Sequence, residues 1–577
     1  MFPDKIYTLI GLILFSSVAI LPFFSGSSVL HRAEKSVVRF TERRAFAVCV
    51  LFFAVIGLRL AFLPALGVPV PRIHDEFSYL LMSDTFAHGR LANPTHPLWI
   101  SFETMFVSWI PTYSSMYPPA QGLFLMIGQL LGHPWIGVLL SNAAMCALIV
   151  WMLQAWIPPR WAFLAGVITA LQFSVTSYWI NSYWGGAVAA AGGALALGAV
   201  GRIRRAGRLR DALLLGLGLG LLANTRPYEG LVFCIPMAVY LLWWMLGKTK
   251  TRDDLRIRSG QVLLPLLASM ILLGSFMAYY NWRLTGNPLL FPHVLYTDTY
   301  YTSPSFLWQD PKPPLHYRNA QLEGLFNGWS RDYYHKSWAD ARRLTQEKFV
   351  MFGSYFFSQA EWLLLPIVPF LLRDRKMRLL LVTLLIGALG VFTVVWGHPH
   401  YAAPLTAVVF ALVVQAMRHL NTIRVKGRRI GALIVRVVVV ILFTVTLDRA
   451  LQHTCDINDA RCTGNVARAE IEDELNSTPG KHLVMVRYNK SHDHHVEWVH
   501  NGAEIDSAKV LWARDVDEAQ NERLFAYFKD RQIWLIRPDE VDPKLRQLKI
   551  YPGAAVQPVR WAAAPPHQAT SSGDGRR

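Results

Sequence analysis

The feature that most constrains this chain is a succession of long apolar stretches broken by short polar links. A helix must supply roughly 20 mostly apolar residues to cross a hydrocarbon layer about 30 Å thick, rising about 1.5 Å per residue. About twelve segments approach that length: 6–24, 46–66, 134–156, 161–179, 184–200, 211–224, 229–246, 261–280, 355–373, 379–396, 401–417 and 430–447. A further apolar stretch, 120–131, is too short to cross and is expected to lie on the membrane or dip into it. Charged residues are only 17% of the chain and mean hydropathy is +0.27, where soluble domains carry about 25% charge. That excludes a disordered chain and argues against an ordinary soluble enzyme.

Lys and Arg collect in short cytoplasmic loops, and alternate loops here are rich in them. Arg32, Lys35, Arg39, Arg43 and Arg44 follow the first expected span; Arg202, Arg204, Arg205, Arg208 and Arg210 follow the fifth. Similar runs follow the seventh, ninth and eleventh spans (248–258, 373–378 and 418–429). The opposite loops 180–183 and 397–400 have no Lys or Arg, and 225–228 has only Arg226. This alternation predicts both termini outside, provided 120–131 does not cross. Much of the net charge of +18 is then a topological signal, and the rest attracts anionic lipid. No nucleic-acid motif accompanies it. The first stretch has neither a basic leader nor an A-x-A-like cleavage site, so it is expected to be a retained span rather than a signal peptide.

Three external segments are long: 67–133, the Tyr-, Trp- and Pro-rich 281–354, and 448–577. In the last, HLVMVRY (482–488), KVLWARD (509–515) and QIWLIRPD (532–539) predict strands, and DEAQNERLFAYFKD (517–530) a helix. The tail 562–577 is expected to be disordered. Cys455 and Cys462, in CDINDARC, suit a disulfide in an oxidising compartment, with a zinc site as the weaker rival.

Candidate chemistry gathers at the external ends of the spans. PRIHDEFSYLL places Asp75 and Glu76 just past the second span. Acids there stay ionisable beside the head groups, where the bilayer centre would cost each about 2.5–3.5 kcal/mol; a solvated turn is the plainer alternative. Tyr117-Pro118-Pro119 fixes an extended lead into the short apolar helix, or simply starts it. Asn181, Tyr183 and Trp184 stand at the interface ahead of a Gly/Ala-rich span. In NTRPYEG, Arg226 runs against the sidedness trend and invites an anionic partner, either Glu229 or a phosphate. In WGHPHYAAP, His398 and His400 suit a phosphate, a metal or a plain turn. The cluster His492, Asp493, His494 and His495 lacks helical spacing, so acceptor recognition or a surface turn is expected ahead of a metal.

Taken in order, these motifs resemble those of the GT-C superfamily of membrane glycosyltransferases, over roughly residues 45–420. The nearest likeness is to bacterial members grouped with protein O-mannosyltransferases, lipid A aminoarabinose transferase and Rgt-like sugar transferases. HDEFSYLL is similar to the first-loop acidic motif, YPPAQGLF to the PPL-type segment, TRPYEG to the TRP hairpin and HPHYAAP to the R/H-Y-x-x-P segment. The resemblance implies a mainly α, polytopic helix bundle with a small C-terminal α/β domain. Its parts would be an extra N-terminal span and basic loop (1–45), the membrane domain (46–447), an external α/β domain (448–561) and the tail. It implies transfer of a sugar from a polyprenyl-phosphate-type donor to a lipid, glycan or protein on the periplasmic side of a bacterial inner membrane. Asp75 would be the base and Glu76 an acceptor-orienting or metal-holding acid. Arg226, His398 and His400 would hold the donor phosphate, and Tyr117, Tyr183 and Trp184 the acceptor groove. Metal use stays open between a divalent cation and none. The main alternative is a transporter or lipid flippase, and a non-catalytic envelope scaffold is a third reading. A proton-coupled transporter buries acids or His near the midplane, whereas here they sit at the rim.

Overall fold

The computed structural model describes residues 28–247, 254, 256–357, 361–451, 464–540 and 546–548. The expected first span, Cys455, Cys462 and the tail from 562 lie outside the described residues. The chain is mainly α, a polytopic bundle of an integral membrane protein, with a small α/β unit toward its C-terminus.

Among the described residues, seven helices are long and apolar enough to cross: Arg44–Ala61, Pro134–Leu153, Ala187–Ala206, Pro227–Leu246, Ile257–Thr285, Pro399–Leu420 and Ile430–Leu451. Helices also form over 120–131 (Ala120–Leu130, 11 residues) and 379–396 (Arg378–Thr393, 16 residues). The stretch 355–373 is divided between Trp338–Phe356 and Glu361–Arg373, whose axes lie 108° apart. Ala187–Ala206 and Pro399–Leu420 are buried inside the bundle, while few residues of Ile257–Thr285 are buried, as in a lipid-facing helix.

The span expected over 161–179 stops early, at Phe173. Asn142 takes its end: the amide donates to the Phe173 carbonyl (3.2 Å), and the carbonyl oxygen accepts from Ser174 Oγ (2.7 Å). The following stretch to Gly186 is buried but not helical. Such backbone needs partners from the protein itself. Trp135 Nε1 donates to the Ile180 carbonyl (2.9 Å), Gln121 to that of Tyr183 (2.9 Å), and Asn181 to that of Val175 (2.8 Å). Buried Arg59, in helix Arg44–Ala61, is hydrogen-bonded here too. It donates to Asn181 Oδ1 (2.9 Å) and the Gly67 carbonyl (2.8 Å).

Close helix approach rests on glycine. A Cβ on Gly137 would stand 1.9 Å from the Phe124 carbonyl oxygen, and one on Gly128 would stand 2.2 Å from the Gly137 nitrogen. Helices Ala120–Leu130 and Pro134–Leu153 can therefore touch backbone to backbone. Gly137→Val is expected to destabilise the protein by about 1–3 kcal/mol, the usual cost of overpacking, read as a lowered thermal-aggregation midpoint in detergent.

Strands β1 (Val107–Ser108) and β2 (Ser114–Ser115) form a hairpin in the segment 67–133. Strands β3 (Lys481–Val486), β4 (Val510–Arg514), β5 (Arg531–Ile536) and β6 (Arg546–Leu548) form a sheet ordered β4-β3-β5-β6, parallel except for β6. A parallel sheet is covered on both faces, and the pleat decides what covers each. Leu483 and Met485 face Leu98, Phe102 and Trp109 of the segment 67–133. Val484 and Val486 face Ile471 and Leu475 of helix Val466–Ser477. The C-terminal unit thus shares a core with the segment that carries Asp75. Polar pins add to it. Buried Arg514 and Glu497 pair at 3.1 Å, Thr104 donates to Glu497 (2.5 Å), and the Ala503 amide donates to Asp84 (2.6 Å).

Candidate active site

Asp75 and Glu76 occupy the first turn of helix His74–Ala87, where the helix dipole favours negative charge. Their side chains part there. Glu76 turns inward: its carboxylate accepts the backbone N–H groups of Arg72 (2.9 Å), Ile73 (3.4 Å) and Tyr183 (3.1 Å). It holds the helix start to the irregular segment after Phe173 and does not line the cavity that Asp75 enters. Its expected acceptor- or metal-holding role thus meets an acid already engaged, because three orphan amides needed an acceptor. Tyr183 sits behind Glu76, its hydroxyl donating to the Pro69 carbonyl (2.9 Å), and is likewise outside the cavity.

Asp75 turns the other way, into a cavity of about 1070 Å³. Its Oδ1 accepts the Tyr117 hydroxyl, and His74 Nε2 stands 3.5 Å from Oδ2. Tyr117 is fixed by stacking on Tyr79 (centroids 4.4 Å, planes 16° apart). The Pro-Pro pair after it leads to Ala120, whose amide donates to the Asn224 carbonyl (2.9 Å) and ties this helix to the TRP hairpin. The YPP segment therefore orients the acid as well as starting a helix. Burial pushes the Asp75 carboxyl up to about 6, with Tyr117 and Arg226 pulling it down. Burial also pushes the His74 imidazole down to about 4, leaving it neutral at pH 7.

Arg226, His398, His400, Tyr117 and Trp184 line the same cavity. Arg226 precedes helix Pro227–Leu246, its guanidinium 4.2 Å from the Tyr401 ring centroid. Among the described residues, it forms no salt bridge with Glu229. His398 and His400 stack (5.6 Å, 19°), with the Trp184 ring against both, at 5.4 and 4.7 Å. His400 Nδ1 lies 2.9 Å from the Tyr178 hydroxyl.

The histidine cluster of the C-terminal unit divides. His492 is held within the unit, Nδ1 being 2.6 Å from Asp539, while Asp493 and His495 reach the cavity wall. Asp493 pairs with Arg72 at 3.7 Å. Their destination depends on how the sheet docks, which local sequence does not carry. Tyr79, His293 and Tyr401 also line the cavity without having been singled out. Among the described residues, no group of three His, Cys, Asp or Glu gathers to hold a metal. With Asp75 Oδ1 bonded to Tyr117 and Glu76 turned away onto backbone amides, the two carboxylates do not converge on one cation.

No protein-family model and no curated protein matches the chain. Among solved structures it is similar to the Archaeoglobus fulgidus oligosaccharyltransferase in its complex with Zn and sulfate, at 12% identity and TM-score 0.42, covering 85% of this chain and 67% of that one. It is also similar to ArnT from Cupriavidus metallidurans in the apo state, at 13% identity and TM-score 0.44, covering 85% of this chain and 93% of that one.

Proposed function

We propose that this chain is a GT-C-type membrane glycosyltransferase. It moves a sugar from a polyprenyl-phosphate-type donor to an acceptor hydroxyl on the external, periplasmic face of a bacterial inner membrane. The observation that carries this reading is one cavity lined by a buried, oriented acid, Asp75, and by Arg226, His398 and His400. The four motifs that suggested the family are more than three hundred residues apart at their extremes, yet each sends a side chain into that space.

The chemistry balances with these groups alone. The acceptor oxygen bonds to the anomeric carbon while the bond from that carbon to the phosphate oxygen breaks. The acceptor proton passes to Asp75 Oδ2. The leaving lipid phosphate gains negative charge where Arg226 and the paired imidazoles can meet it. No step runs through a metal. A transporter reading would leave unexplained why the acid stands just past a span, tied to a tyrosine, when a proton-coupled carrier holds its acids within the spans.

A base works deprotonated, and burial raises the carboxyl of Asp75 to about 6. Transfer should therefore be lost on acidification. kcat/KM is expected to be flat above about pH 7 and to fall about tenfold per unit well below pH 6. The assay is release of polyprenyl phosphate from a panel of polyprenyl-phosphate-linked sugars by the purified full chain. No release from any of them would remove the reading. Mass analysis of envelope glycans from a deletion strain would then identify the sugar and the acceptor.

A further inference from the structure

One part of the cavity wall is assembled from three separate parts of the chain. Trp329 and Tyr333 come from the external segment 281–354, Trp396 from the hairpin before helix Pro399–Leu420, and Asp493 and His495 from the C-terminal unit. The Tyr333 and Trp396 rings lie 5.0 Å apart with planes 7° from parallel, and Trp329 stacks on Trp396 at 5.4 Å and 20°. The three make one aromatic surface, and Trp329 at its margin is 45% exposed. The His495 ring meets Trp329 at 4.7 Å, nearly perpendicular at 83°. It also stacks on His74 at 5.8 Å, and His74 borders Asp75. The surface thus stands two ring contacts from the acid. Asp493, 55% exposed, presents its carboxylate beside it.

We infer that this wall is a saccharide subsite, where a pyranose ring of a glycan acceptor lies on Trp329 with its hydroxyls on Asp493 and His495. A pyranose has an apolar C–H face and a rim of hydroxyls. The partly exposed indole of Trp329, at the margin of the aromatic group, matches the first, and a carboxylate and an imidazole match the second. The polar side of the wall is already ordered. The His495 amide donates to Asp493 Oδ1 (3.0 Å), and the Glu497 amide to the Arg72 carbonyl (3.2 Å). Little ordering cost is left for binding. A lipid acceptor would find exposed charge here, from the soluble unit, where it needs an apolar path. The inference rests on the transferase reading and narrows its acceptor to a carbohydrate.

The test uses the full chain in detergent, carrying Asp75→Asn so that binding is read without turnover. It is applied to an array of labelled oligosaccharides of hexose, hexosamine and uronic-acid units, with a peptide library alongside. At least one oligosaccharide is expected to bind. Trp329→Ala should weaken it by about tenfold or more, and Trp329→Phe should restore most of the loss. Asp493→Asn, a surface change that leaves the aromatic packing in place, should weaken the same ligand, and so should His495→Gln, which also removes the ring contact with Trp329. An empty glycan array overturns the inference. So does binding indifferent to Trp329, Asp493 and His495, or binding of peptides in place of glycans. An empty array, with transfer still abolished by Asp75→Asn in cells, sinks this subsite and spares the transferase reading. A filled array with transfer persisting in Asp75→Asn spares this subsite and removes Asp75 as the base.

Discussion

Asp75→Asn is expected to slow sugar transfer by about 10²–10⁴-fold, the range a positioned general base supplies, in a protein that folds and inserts normally. The amide oxygen can still accept the Tyr117 hydroxyl that Asp75 accepts now, so the local geometry survives while the proton acceptor is lost. Stability should not suffer, because burial already disfavours the charged carboxylate and raises its pKa to about 6. The measurement is polyprenyl phosphate released per mole of monodisperse protein, and full activity in that variant would end the assignment. Tyr117→Phe separates positioning from chemistry. It keeps the base but removes the bond that holds its pKa down. The acid limb of the pH profile should therefore move upward, and activity at high pH should largely return.

Much of the scaffold was legible because the signals that specify it are local. Hydropathy over a window of helical length located Pro134–Leu153 and Pro227–Leu246, and β-branched and aromatic runs located β3, β4 and β5. The expected helix at 517–530 forms as Glu518–Tyr527, with Asp517 capping it by accepting the Gln520 amide. Segment 161–179 misled because its apolar content continues past Phe173, while Ser174 and Asn142 divert the backbone. At the site, Asp75 could be singled out because it follows a span directly, and its side chain lines the cavity. The role of Glu76 could not, since it depends on the amide of Tyr183, 107 residues away. The histidine cluster stood out in the sequence, but only the packing of Leu483 and Met485 on the first external segment decides that Asp493 and His495 reach the cavity.

Arg226→Gln is expected to lower kcat by about 10²–10³, the usual loss when one fixed donor to a developing oxyanion is removed. The residue sits where two positive fields coincide, its own guanidinium and the N-terminal end of helix Pro227–Leu246. Its guanidinium rests against the Tyr401 ring at 4.2 Å, an arrangement that orients the charge without neutralising it. An ion pair with Glu229 was the competing account of an arginine kept against the sidedness trend. The two accounts separate in a cycle. If Arg226 exists to satisfy Glu229, then Glu229→Gln should be comparably harmful, and the double substitution should recover what either loses. If Arg226 serves the leaving phosphate, the double substitution should stay as slow as Arg226→Gln alone. The loss should then appear in the rate of phosphate release per folded molecule, with the thermal midpoint nearly unmoved. Recovery of turnover in the double variant would return Arg226 to a structural role and leave His398 and His400 to meet the phosphate alone.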